Sequence, residues 1–188
     1  MKATQQLRDE HEGIKLMLRI LGEICRRVES NEPVNFQHLQ GILEFLRVFV
    51  DRCHHGKEEE ILFPALESVG IPKEGGPIGQ MLAEHEQGRQ LVREIGQSLP
   101  TTGRKEGWAA ASWFCESSRK YIELLTQHIQ KENEVLFVMA DMRLSEMQQE
   151  KLFDEFEKLE EEKIGLGKHE EFHRLLDELA RIYTRSDG

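Results

Sequence analysis

Residues 54–64 read HHGKEEEILFP, and residues 128–138 read HIQKENEVLFV. Aligned on their Leu-Phe pairs, both follow the pattern HxxKExExLF. His54 lies over His128, Glu58 over Glu132, Glu60 over Glu134, and Leu62-Phe63 over Leu136-Phe137. Residues four apart share a helix face, so each copy presents an imidazole and a carboxylate in one direction. Steps of about 100° per residue identify the company each pair keeps. The face of His54 carries Leu43, Val50, Ile61 and Ala65, with Arg47 the polar intruder. That of His55 carries Val48, Leu62 and Leu66, but also Glu44 and Asp51. Apolar company and the internal echo favour His54–Glu58 over His55–Glu59 as the inward pair, and the doublet leaves the register open. The second copy has a cleaner seam of Phe114, Ser118, Tyr121, Leu125, His128, Glu132, Val135 and Met139.

Outward from these stretches, the chain divides into long amphipathic segments. The first runs from about Ala3 to Ser30 on a seam of Leu7, His11, Ile14, Leu18, Leu21, Cys25 and Val28. A second starts after Pro33-Val34-Asn35 and continues to about Leu66, with Pro64 marking a kink or an early end. Beyond the loop GIPKEGGP, a third covers about Ile78 to Leu99 and sets His85 with Ile78, Met81 and Val92, alongside Arg89. After PTTGRKEG, the fourth extends from about Trp108 to Met142. No stretch alternates with period two between turn residues, so the fold class is all-α. Long helices with short connections predict an antiparallel four-helix bundle over residues 1–143. Residues 144–188 then form a C-terminal extension of two helices broken near Gly165-Leu166-Gly167 and packed on the bundle. Its charge run is a solvated face.

The 188 residues carry 25 Lys plus Arg against 35 Asp plus Glu, a formal net charge of −10. That balance disfavours nucleic acid and anionic membrane surfaces as partners. No run approaches the ~20 apolar residues of a membrane span, and the start MKATQQLRDEHEG lacks the apolar core of a signal peptide. Cys25, Cys53 and Cys115 form no disulfide framework or CxxC site. These features predict a cytoplasmic protein.

Four predicted helices each direct a histidine inward, and two of them add a carboxylate one turn later. Leaving such groups buried and unpaired costs several kcal/mol apiece. That cost is too large for a net stability of about 5–15 kcal/mol. A hydrogen-bonded polar layer could satisfy any one of them. The repeated His/Glu pair with i,i+4 spacing instead matches the geometry of di-metal carboxylate bundles. Imidazoles mixed with carboxylates and no thiolate suit iron, manganese or zinc, whereas calcium and magnesium prefer oxygen shells. On the preferred register, His54→Ala should lose metal far more than His55→Ala.

At these residues the sequence resembles the hemerythrin-like, or HHE cation-binding, family. The resemblance covers roughly Leu7 to Met142 and rests on the order H…HxxxE…H…HxxxE: LRDEHEG at His11, HHGKEEEILFP at His54, LAEHEQGR at His85 and HIQKENEVLF at His128. Similar motifs occur in di-iron proteins that repair damaged iron–sulfur centres. The resemblance implies a non-haem pair of iron ions in a four-helix bundle. His11, His54, His85 and His128 would be terminal ligands, and Glu58 and Glu132 would bridge. It also implies binding, sensing or scavenging of dioxygen, nitric oxide or peroxide, or the handling of iron.

Oxygen-carrying hemerythrins have a further histidine at the position of Arg89, so reversible oxygen carriage requires an imidazole from elsewhere. His169, on a seam with Phe172, Leu176, Leu179 and Tyr183, and His173 on its flank are the candidates for that fifth imidazole. Tyr121 lies on the ligand seam as a core residue or an outer hydrogen bonder. Two alternative readings are a di-iron oxidase or peroxidase and an iron- or oxygen-responsive interaction protein whose acidic tail meets a partner.

Overall fold

The computed structural model describes residues 2–99, 111–165 and 167–184. Helix α1 (Ala3–Glu29) is followed by one long rod through residues 36–68. The rod begins as α2 (Phe36–Glu44), widens into π-helix at Phe45–His55 and again at Glu58–Leu62, and ends as α3 (Phe63–Ser68). Helix α4 spans Pro77–Ser98. The last rod is α5 (Ala111–Lys131), a π-helical turn at Glu132–Leu136, and α6 (Phe137–Arg143). Two more helices follow, α7 (Glu146–Ile164) and α8 (Lys168–Tyr183). Among the described residues there is no strand, and the fold is all-α. Among the described residues no helix is long and apolar enough to cross a membrane. The predicted loop over 100–107 and the predicted start at Trp108 lie outside the described residues, as does Leu166.

Local chemistry accounts for several boundaries. Asn35 caps α2 by accepting from the Gln37 amide. Ser145 and Gln148 form a reciprocal capping box at the start of α7. Pro64 does not end its rod, which continues to Ser68. It occupies the first turn of α3, where the π-helical stretch hands over to α-helix, so the missing N–H falls at a helix start.

The four rods pack in a ring in which α1 and α4 each touch both α5 and the Phe45–His55 stretch. Helix α7 lies on α1 and the π-helical part of the second rod, and α8 lies mainly on α1. Tyr183 secures the end of α8: His38 Nδ1 is 2.9 Å from its hydroxyl, and the Arg27 guanidinium sits 4.6 Å above its ring.

The buried apolar residues form two separate clusters. One contains Ile14, Phe45, Leu91, Leu125 and Phe172; the other contains Leu7, Leu62, Met81, Leu136 and Phe156. His11 falls between Leu7 and Ile14 along α1, and His85 falls between Met81 and Leu91 along α4. A polar layer therefore crosses the bundle between two apolar half-cores.

Candidate metal centre

That layer holds five imidazoles and two carboxylates. His11 and Glu132 are 0 % exposed, as is Glu58, and His54, His55, His85 and His128 are 1–3 % exposed. The side chains form two donor groups that share Glu58: His55, Glu58, His85 and His128; and His11, His54, Glu58 and Glu132. The structure thus brings together all six bundle residues expected from the sequence and adds His55.

In four of the imidazoles, Nδ1 is held by an outer acceptor. His11 Nδ1 lies 3.0 Å from Asn133 Oδ1, and His54 Nδ1 lies 2.7 Å from Glu10 Oε2. His85 Nδ1 is 2.7 Å from Glu59 Oε1, and His128 Nδ1 is 2.9 Å from Glu84 Oε2. With Nδ1 donating, each Nε2 keeps its lone pair, the arrangement metal-ligating histidines adopt. Those Nε2 atoms face one another, at 3.0 Å for His11–His54 and 3.1 Å for His85–His128. Two lone pairs at such a distance repel unless a cation or proton lies between them.

Each carboxylate lies between the two groups. Glu58 is 3.6 Å from His54 Nε2 and 3.3 Å from His85 Nε2, while Glu132 is 3.3 Å from both His11 and His128 Nε2. These are close approaches without hydrogen bonds, because the facing nitrogens carry no proton when Nδ1 donates. All four oxygens of Glu58 and Glu132 are buried without a hydrogen-bond partner, as are both ring nitrogens of His55.

The electrostatics describe the same need. Burial, and then the neighbouring Glu132, pushes the Glu58 carboxyl well above the usual carboxylate range. Burial opposes ionisation of Glu132 as well, but His128 and His11 hold it at about 2. Burial lowers His54 to about 4 and drives His55 well below the ordinary imidazole value. A donor set of imidazoles around two closely placed, buried carboxylates fits divalent metal, which would neutralise the carboxylates.

The outer shell is charged on both sides. Glu10 accepts from His54 and from Lys57 Nζ at 2.6 Å; burial would raise it, yet these partners hold it at about 2. Lys57, itself 0 % exposed, also donates to Glu160 Oε2 at 2.6 Å, and Glu160 Oε1 lies 2.6 Å from His169 Nδ1. On the opposite side Lys131 donates to Glu84. Arg89 belongs to neither donor group. Its guanidinium donates to Asp51 at 2.7 Å and to Glu59 at 2.5 Å, thereby bracing the acceptor that orients His85.

The structure does not bring His169 or His173 to the centre. Glu160 captures His169, with Lys57 and Glu10 standing between it and His54, and neither histidine belongs to a donor group. The added imidazole is His55, whose ring stacks on His85 at 3.8 Å and 14°. A uniform 100° step made His54 and His55 alternatives. In the π-helical winding of Phe45–His55, hydrogen bonds run to the fifth residue and the rotation per residue is smaller, so consecutive side chains share one side. The detectable signal was the His-His doublet itself, which regular α-helical phase cannot place together.

Comparison with known proteins fits this layer. The hemerythrin HHE cation binding domain matches residues 2–140. The chain belongs to this hemerythrin family. Among its relatives is the iron-sulfur cluster repair protein YtfE of Yersinia pseudotuberculosis, 31 % identical over 136 residues, which are 70 % of this chain and 60 % of YtfE. YtfE of Yersinia pestis matches to the same extent. An uncharacterized protein of Mycobacterium tuberculosis is 24 % identical over 180 residues, covering 96 % of this chain and 68 % of the relative. The mycobacterial match thus reaches through the C-terminal helices, beyond the hemerythrin match that ends at residue 140. No solved structure matches the chain.

Proposed function

We propose that the chain binds two iron ions in the polar layer and uses them to bind, sense or scavenge a small oxidant: dioxygen, nitric oxide or peroxide. The observation that carries this reading is the set of four buried carboxylate oxygens without partners beside five imidazoles. His55, His85 and His128 would hold one ion, His11 and His54 the other. Glu58 and Glu132 would span the two. Manganese or zinc suits the same donors, but iron adds redox chemistry, supplying electrons to the oxidant when bound.

The residues around the donors have defined tasks. Glu10, Glu59, Glu84 and Asn133 hold the rings in one tautomer. Phe63 stacks near His85 at 5.9 Å and Phe137 on His11 at 5.5 Å, so apolar faces exclude water from that end of the layer. Tyr121 stays protonated because burial raises its pKa. With His55 as fifth imidazole, the objection to oxygen binding raised by Arg89 is removed. Residues 1–143 form the metal-binding unit in this reading, and residues 144–188 cover its Lys57 side. A cytoplasmic location fits three free, buried cysteines. Iron–sulfur cluster repair, the role named for YtfE, is a further reading through the handling of iron.

The test is metal analysis of anaerobically purified protein, followed by its visible spectrum before and after air. Two irons per chain and charge-transfer bands on oxidation are expected, and their reversal on degassing would indicate oxygen carriage. Folded protein that takes up no stoichiometric metal after anaerobic iron reconstitution would refute the proposal. Iron transfer to a cluster-free iron–sulfur protein would favour repair over ligand binding.

A further inference from the structure

Between α1, the second rod and the two C-terminal helices lies a cavity of about 280 Å³, apart from both metal-donor groups. Its wall is aromatic. Phe45 and Phe49 stack at 4.8 Å, Phe172 meets them edge-on at 5.6 and 5.9 Å, and Phe153 closes the α7 side.

The polar groups around it are nearly all acceptors. Asp9 and Glu157 are exposed at the mouth and have no ion-pair partner among the described residues; each is held only by a neutral amide, from Gln5 and Gln6 respectively, at 2.8 Å. Gln6 Oε1 is buried and has no donor. Glu10 also lines the cavity, but Lys57 and His54 already occupy it. No lysine or arginine is among the described lining residues. The imidazoles of His169 and His173 are the other titratable groups facing it, and His169 is tied to Glu160.

An anion would meet the carboxylates of Asp9, Glu10 and Glu157, and of these Asp9 and Glu157 have no cationic partner among the described residues. Because neither His169 nor His173 belongs to a metal-donor group, the site is better suited to an organic cation than to a metal ion. We propose that this cavity binds a small primary ammonium ion with a single aromatic ring or a branched aliphatic body. Its N–H donors match the carboxylate oxygens of Asp9 and Glu157, each of which accepts only one neutral amide. The apolar body would pack among the phenylalanines, whose ring faces also attract positive charge.

Calorimetric titration of the full chain with benzylammonium, benzyl alcohol and benzoate tests the charge assignment. Benzylammonium should bind about tenfold more tightly than benzyl alcohol, with no measurable binding of benzoate. The double variant Asp9→Asn, Glu157→Gln should weaken the ammonium about fivefold or more while leaving benzyl alcohol unchanged. Circular dichroism and metal content should match the parent, because both positions are exposed and outside the donor groups. Equal affinity for the ammonium and the alcohol would overturn the proposal, as would no binding at millimolar benzylammonium. Ammonium binding unaffected by the double variant would place the cation on the acidic surface instead.

Discussion

Stretches 54–63 and 128–137 support their histidines by parallel means. His54 donates to Glu10 and His128 to Glu84, and each carboxylate also accepts from a lysine of the same motif, Lys57 or Lys131. Glu59 orients His85 from one copy, and Asn133 orients His11 from the other. Phe63 and Phe137 stack on those same two rings. The copies diverge where Ile129 stands opposite His55 and Asn133 opposite Glu59. They also diverge in burial: the Lys57 side chain is 0 % exposed and that of Lys131 is 34 % exposed. An internal repeat can therefore keep its paired buried carboxylates while giving the two donor groups unequal numbers of imidazoles. The C-terminal helices reinforce the inequality, since Glu160 of α7 encloses Lys57.

The largest expected effect comes from the shared carboxylate, Glu58. Glu58→Met should reduce metal content below one ion per chain, because both donor groups include Glu58. The metal-free variant should nevertheless be more stable than metal-free parent by about 1–3 kcal/mol, because a buried carboxyl without a hydrogen-bond partner is replaced by apolar volume. Thermal unfolding of both apo-proteins checks the sign, and a less stable variant would mean that the carboxylate is satisfied without metal.

His55→Ile, which makes the first copy resemble the second, should weaken one of the two ions by at least ~100-fold and leave the other nearly intact. Stepwise metal titration separates the two events. This revises the sequence expectation that His54→Ala would be far more damaging than His55→Ala: the geometry puts these residues in different donor groups, so each should affect a different ion.

The lysines provide a smaller contrast. Lys57→Met leaves Glu10 buried with one cation removed and should cost about 3–5 kcal/mol. Lys131→Met, at a part-exposed pair, should cost at most ~1 kcal/mol. Urea unfolding of the metal-free proteins measures both, and equal losses would refute the unequal burial.

The smallest effect is a pH slope. Glu10 is held at about 2 in the folded chain against 4.5 in the reference state. As acid is added, the unfolded chain takes up this proton first, so the contribution of Glu10 is present above about pH 4.5 and lost as pH falls toward 2. The melting temperature of metal-free Glu10→Gln should fall less steeply across that window than the parent's. Parallel curves would show that Glu10 is not held low.

Helix periodicity made most of the fold readable, because seams such as Leu7–His11–Ile14–Leu18 use the same residues that bury the rods. Histidines on otherwise apolar seams, together with the HxxKExExLF echo, marked the polar layer. Two site features were harder to read. His55 stood as the less favoured of two registers because Glu44 and Asp51 share its α-helical phase, and π-helical winding is not inferred from the usual 3.6-residue period. The outer acceptors Glu10, Glu59, Glu84 and Asn133 sit in charged runs that resemble solvated faces. Their partners become visible only when the rods are brought together. His169 showed the converse error, since its apolar seam belongs to the docking of α8 rather than to the polar layer.

The division of the apolar interior into two clusters bears on cooperativity. A continuous core transmits disruption from end to end, whereas this bundle has a hydrophilic waist of mutually repelling groups. Metal would staple the halves into a single unfolding unit. Without it, each end can melt with its own midpoint, so a calorimetric trace with one sharp endotherm in the loaded protein should broaden or split after chelation.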